Sequence, residues 1–153
     1  MEIRKYRPED LPEIARLFEE TIRQVNAGDY TKEQIQAWAS RGRGLLGRNE
    51  FFERLYTLVA LENGQITGYG NIDDAGYLDH LYVHKDWQGR GIASAICGRL
   101  EEYAGKLGRE RITVYASVTA RPFFEKRGYT AVEEHQAVLD GISLTNYFME
   151  KKL

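Results

Sequence analysis

Between Gln88 and Ser94 the chain reads Gln88-Gly89-Arg90-Gly91-Ile92-Ala93-Ser94, two glycines one residue apart where a strand-like run gives way to a helical one. That combination suits an anion. The first turn of a helix leaves backbone N–H groups without partners at the positive end of the peptide dipole, and glycines let a phosphate approach the main chain closely. Arg90 adds a positive charge beside them. Just upstream, Asp79 and His80 are the only acidic and imidazole side chains in the run Tyr77 to Val83, which makes them the candidates to take a proton from a reacting group.

Spacing separates the kinds of phosphate site that use this geometry. A P-loop needs G-x-x-x-x-G-K-[ST], and no Lys-Ser or Lys-Thr pair follows these glycines, which rules against ATP or GTP binding of that type. A dinucleotide fingerprint needs a third glycine where Ser94 stands, and the preceding runs read as a hairpin rather than as strands alternating with helices. What remains is Q-x-x-G-x-A, met by Gln88, Gly91 and Ala93 directly after Leu81-Tyr82-Val83.

The elements that must carry these residues follow from hydrophobic period and punctuation. Glu2 to Arg7 alternates as a strand, and Pro8 and Asp10 then open an amphipathic helix through Leu11, Ile14, Leu17, Phe18, Ile22 and Val25. Thr31 can cap a second short helix containing Ile35 and Trp38, after which Gly42, Gly44 and Gly47 predict a loop. A helical turn over Asn49 to Arg54 precedes Tyr56 to Leu61 and Ile66 to Ile72, joined as a hairpin by a turn whose Asn63-Gly64 suits positive φ. Tyr77 to Val83 is the next strand, and Ile92, Ile96, Leu100, Tyr103 and Leu107 recur at helical spacing from Gly91 to Leu107. Ile112 to Ala116 predicts a strand and Thr119 to Arg127 a short helix. Two strands then follow around Asp140-Gly141, with Val132, Val138, Leu144 and Phe148 as core candidates. This order makes an α+β domain over residues 1–153. A meander of antiparallel strands passes into one strand-helix-strand unit, so the sheet is mixed and mainly antiparallel, flanked by helices, with the strand-loop-helix at its centre.

Composition narrows the partners. The chain of 153 residues is 42% hydrophobic and 29% charged, with no apolar run approaching the roughly 20 residues of a membrane span. Its charged start argues against export, so a soluble, cytoplasmic protein is expected. A net charge of -2 gives no footprint for nucleic acid, and His80, His84 and His135 lack ligand spacing, so no metal is expected. Cys97 is the only cysteine and falls near the apolar stripe of the long helix, where a buried, inert thiol is expected.

A second block, Ala120-Arg-Pro-Phe-Phe-Glu-Lys-Arg-Gly128-Tyr129, stands beside the first. It resembles the A-x-x-F-Y-E-K-x-G-F segment of the GNAT superfamily of N-acetyltransferases, whose loop carries Q-x-x-G-x-A, and the likeness extends across most of the chain. The resemblance implies acetyl-CoA as cosubstrate. A bulge would splay the strand so that the backbone at Leu81, Tyr82 and Val83 pairs with the pantetheine amides, while Gln88, Gly89, Arg90, Gly91, Ile92, Ala93 and Ser94 hold the pyrophosphate. It also implies cofactor contacts at Ser117, which can equally be read as a helix-cap serine, and at Phe124, which stands where the family often has a tyrosine that protonates the leaving thiolate. Phenylalanine cannot do this, leaving Tyr115, Tyr129, a water or no acid at all.

Simple alternation places Tyr77, Asp79 and Leu81 on one strand face and Leu78, His80 and Tyr82 on the other, subject to the bulge. Asp79, or His80 if the bulge turns it inward, is the expected base for an amine acceptor on a small molecule or peptide. Asn26, Asp29, Tyr30 and Trp38 lie in the third of the chain that lines the acceptor pocket in that family, although Trp38 also reads as a core anchor. Three functions fit these residues: N-acetyl transfer by direct attack in a ternary complex, transfer of a longer acyl chain, and a CoA-binding sensor or interaction module without catalysis. Exposed strands in the C-terminal tail leave room for a homodimer.

Overall fold

A seven-stranded sheet in the order β1-β2-β3-β4-β5-β7-β6 organises the computed structural model, which describes residues 1–153. The strands are β1 (Glu2–Lys5), β2 (Tyr56–Glu62), β3 (Gln65–Ile72), β4 (Tyr77–Val83), β5 (Arg111–Ser117), β6 (Thr130–Leu139) and β7 (Ile142–Lys152). All neighbours are antiparallel except β4 and β5, which run parallel around the helix between them. The helices are α1 (Leu11–Gln24), α2 (Lys32–Ala39), α3 (Gly42–Leu45), α4 (Asn49–Arg54), α5 (Ile92–Lys106) and α6 (Arg121–Lys126). No helix is long and apolar enough to cross a membrane.

The two sheet faces carry separate cores. On one, Ile92, Ile96, Leu100 and Ala104 of α5 pack on Leu58, Ile72, Leu78, Ile112 and Met149. Gly68 and Gly70 in β3 make this possible: an added Cβ at Gly68 would stand 2.8 Å from Ile92 and one at Gly70 3.0 Å from Ile96, so the absent side chains let the helix lie close to the strand. On the other face, the α1 stripe of Leu11, Ile14, Phe18 and Ile22 covers Val59, Leu61 and Tyr69. The start of α1 is fixed by Asp10, whose carboxylate accepts from the Arg7 backbone N–H at 2.9 Å and pairs with both Arg4 nitrogens at 2.8 and 2.9 Å. Thr31 and Gln34 close a capping box on α2, each side chain accepting from the other's backbone N–H.

Three sequence expectations change. The glycine stretch after α2 forms the short helix α3, because burying Leu45 and seating Gly42 against α1 (an added Cβ would meet the Ala15 carbonyl at 3.2 Å) outweigh the low helix propensity of glycine. Val132 and Val138 are not core residues. They are 55% and 66% exposed on β6, the edge strand, where Val132 is the extra residue at a register shift. The third change concerns β4. A bulge at Asp79, between the pairs Asn71↔His80 and Ile72↔Leu78, reverses the alternation. Leu78 therefore shares the α5 face with Leu81 and Val83, while His80 and Tyr82 turn to the α1 face.

Candidate active site

Strands β4 and β5 pair only at Tyr77↔Thr113 and Leu78↔Val114, and beyond the bulge they part. A cavity of about 480 Å³ occupies the wedge, with Leu81, Tyr82 and Val83 on one wall and Val114, Ala116 and Ser117 on the other. Gln88, Gly89, Gly91, Ile92, Ala93 and Ser94 close one end. Of the residues expected from sequence to hold a cofactor, only Arg90 lies off the lining; its guanidinium stacks 4.6 Å from the ring of Trp87, which does line it.

The loop owes its shape to local chemistry. His84 accepts from the Asp86 N–H at 3.0 Å, holding the 3-10 turn of residues 85–87 that carries the chain away from β4. The Gln88 side-chain amide then reaches back and donates to the Val83 carbonyl at 2.7 Å, and Thr21 donates to the same oxygen at 3.0 Å. Gln88 therefore positions the loop against the strand. Gly89 and Gly91 adopt φ of 73° and 78°, a conformation that favours glycine, and a Cβ on either would meet nothing within 4 Å. Gly91 opens α5 without a side-chain cap, so the N–H groups of its first turn stay available beside that open space.

Asp79 is the bulged residue and the only charged side chain on the lining. It keeps a solvent-open face, yet the surrounding walls displace water and raise its carboxyl above the usual range, against the opposing pull of Arg48. His80 is placed elsewhere. The ring centroids of Phe18, Phe51, Phe52, Tyr69 and Tyr82 stand 5.5–6.0 Å from its own, and its Nδ1 pairs with the Tyr69 hydroxyl at 2.9 Å. Burial in this box pushes its pKa down to about 4, and it does not line the cavity.

Phe124 lines the cavity from α6 and is packed edge-on against Phe123 and Tyr129. The two tyrosines that could replace it as an acid differ in location. Tyr129 is buried off the lining, donating to Glu101 at 2.8 Å in a cluster with Arg127 and Lys151, whereas Tyr115 lines the cavity next to Tyr77. Ser117 lines the cavity too, and its Oγ accepts from the Ala120 N–H at 3.0 Å, so it serves the turn while its hydroxyl proton stays free. Cys97 is buried, and that burial pushes its thiol up to about 12.

The far end of the cavity is lined by elements that lie far apart in the sequence. Asn26, Tyr30 and Trp38 come from the α1–α2 region, and Leu139, Leu144, Thr145 and Asn146 from the β6–β7 hairpin. Tyr30 fastens the two sides: its hydroxyl donates to the Thr145 carbonyl at 2.7 Å and accepts from the Val118 N–H at 2.9 Å. Thr119 donates to Asp29 at 2.8 Å and Gln34 to the Ser143 carbonyl at 2.9 Å, so Asp29 acts as a fastener off the lining. The hairpin's role is not legible in the sequence because it depends on β7 inserting between β5 and β6, which no local signal encodes.

Comparison with known proteins bears on this geometry. The acetyltransferase (GNAT) domain family matches residues 26–152. The N-acetyltransferase YafP of Escherichia coli is 31% identical, over 99% of this chain and 96% of its own. A GCN5-related N-acetyltransferase from Rhodopseudomonas palustris superposes with a TM-score of 0.96 at 36% identity, covering 99% of this chain and 95% of its own. The paia N-acetyltransferase of Thermoplasma acidophilum, solved in complex with coenzyme A, has a TM-score of 0.77 at 23% identity over 99% and 98% of the two chains.

Proposed function

Because this chain belongs to the GNAT family of acetyltransferases, we propose that it transfers acetyl from acetyl-CoA to a primary amine by direct attack within a ternary complex, and that residues 1–153 act as one catalytic domain. The observation that carries this reading is the continuous wedge from the glycine loop to Asp79. One end offers backbone donors and room for a diphosphate, and the other offers a single carboxylate. When bound, acetyl-CoA supplies an activated acyl carbon and a thiolate leaving group.

The chain's own residues do the rest. Gly89, Gly91 and the first turn of α5 bind the diphosphate, and the unpaired edge of β4 at Leu81 and Tyr82 aligns the pantetheine arm as an added strand would. Asp79 takes the proton of the ammonium, directly or through water, because an alkylamine near pKa 10.4 is a nucleophile only when neutral. As the amine nitrogen bonds to the acyl carbon, the carbon–sulfur bond breaks and the nitrogen's surplus proton passes to water, leaving a neutral amide. Phe124 gives no proton, and a thiol of ordinary pKa near 8.5 leaves as its anion. Ser117, with its free hydroxyl proton, steadies the cofactor arm from the β5 side.

Calorimetric titration with acetyl-CoA, run beside S-acetylpantetheine, tests the donor half: binding that needs the diphosphate supports the loop assignment, and equal binding of both removes it. Thiol release in the presence of amines tests the chemistry. Binding without release on any amine favours the sensor reading that Phe124 raises.

A further inference from the structure

Charge on the cavity wall restricts the acceptor more tightly than the word amine. Among the residues that line it there is no lysine, arginine or histidine, and Asp79 is the only acid. The cation whose charge acts on Asp79, Arg48, is off the lining and stacked 4.2 Å from the ring of Phe51. The same lining also offers Val25, Trp38, Leu139 and Leu144 together with Tyr77 and Tyr115. An amine that also bears a carboxylate or phosphate would bury that anion with no cationic partner. A polyamine would bury a second ammonium with no second carboxylate.

Access restricts it further. The hydrogen bonds from Tyr30 to Thr145 and Val118, from Thr119 to Asp29 and from Gln34 to Ser143 tie the α1–α2 region to the β5 end and the β6–β7 hairpin. A polypeptide lying through the acceptor end would have to break that row. A small molecule of one positive charge would not.

Resting on the acetyl-transfer reading above, we propose that the acceptor is a small apolar monoamine without an anionic group, of the arylalkylamine or alkylamine class, taken whole into the chamber. Asp79 pairs with its single charge, the aromatic rings hold its skeleton, and amino acids, polyamines and protein N-termini are excluded by the unpaired charge or by the row of hydrogen bonds across the acceptor end.

The test is a thiol-release assay with acetyl-CoA and five amines: 2-phenylethylamine, hexylamine, phenylalanine, spermidine and a short peptide with a free N-terminus. The expected kcat/KM for 2-phenylethylamine exceeds that for phenylalanine by about 100-fold or more, and that for hexylamine exceeds spermidine by about tenfold or more. The peptide is expected to give no release above background. In Leu139→Arg, which sets a cation on the half-buried wall, the gap between phenylalanine and 2-phenylethylamine should narrow at least tenfold. Phenylalanine, spermidine or the peptide reacting as fast as the monoamines overturns the proposal while leaving acetyl transfer intact. Acetyl-CoA that binds with no release from either monoamine also overturns it, and acetyl-CoA that fails to bind overturns the acetyl-transfer reading itself.

Discussion

Replacing Gly91 by alanine separates two roles that this glycine combines. Its φ of 78° costs an L-residue about 1–2 kcal/mol, and no neighbour lies within 4 Å of the new Cβ, so conformational strain is the whole folding cost. Gly108, just past the end of α5, has φ of 77° and the same open surroundings, but lies off the cavity lining. Gly91→Ala and Gly108→Ala should therefore lower Tm by similar amounts, roughly 2–8 °C for a chain of this size. Only at Gly91 does the methyl also enter the space assigned to the diphosphate, where losing one charge-assisted hydrogen bond costs about 1.5–3 kcal/mol. That corresponds to acetyl-CoA binding roughly 10–100-fold weaker. Scanning calorimetry and acetyl-CoA titration on both variants measure the two effects separately. Unchanged affinity in Gly91→Ala, or equal loss in Gly108→Ala, would refute the placement of the diphosphate at this loop.

Other outcomes follow from the same geometry. Asp79→Asn should abolish most turnover and the acidic limb of the pH–rate profile without lowering Tm at neutral pH, because removing a partly desolvated carboxylate relieves the fold rather than weakening it; an unaltered pH profile would exclude Asp79 as the base. Tyr30→Phe removes two hydrogen bonds across the acceptor end, so Tm should fall and acceptor KM rise severalfold while the acetyl-CoA Kd holds. His80 should make the fold acid-sensitive. Its ordinary pKa of 6.5 falls to about 4 in the native state, so the unfolded chain protonates first as the pH drops. Its stabilising contribution, about 3 kcal/mol by linkage, is complete above pH 6.5 and is lost towards pH 4. Urea midpoints across that range should lose this slope in His80→Gln.

What was legible in the sequence is what neighbouring residues decide. Asn63-Gly64 and Asp140-Gly141 take positive φ at the two predicted turns, and the helical stripe from Ile92 to Leu100 is the one that packs on the sheet. The loop from Gln88 to Ser94 sits at the end of the cavity because strand, glycines and helix follow each other directly. Features set by distant contacts were not legible. Alternation alone could not locate the extra residue at Asp79, because only the register with β3 reveals that Leu78 and His80 face opposite ways. The aromatic box that removes His80 from contention draws Phe18 from α1 and Phe51 and Phe52 from α4, and Tyr30 reaches its partner 115 residues away. Likewise the pairing of Arg4 with Asp10 arises only once the chain folds that carboxylate back beside β1.

Two residue pairs between β4 and β5 are all that hydrogen-bond one half of the sheet to the other, and α5 bridges the rest. Mechanically the centre of the protein is a seam, and under the proposed function the donor molecule is what sews it. An extended pantetheine arm along β4 would act as a temporary eighth strand, adding about 2.7 kcal/mol of stability at a hundred times its Kd. It would also form the floor on which the acceptor must rest. Under that reading the donor would enter first, because it would complete the surface on which the acceptor rests.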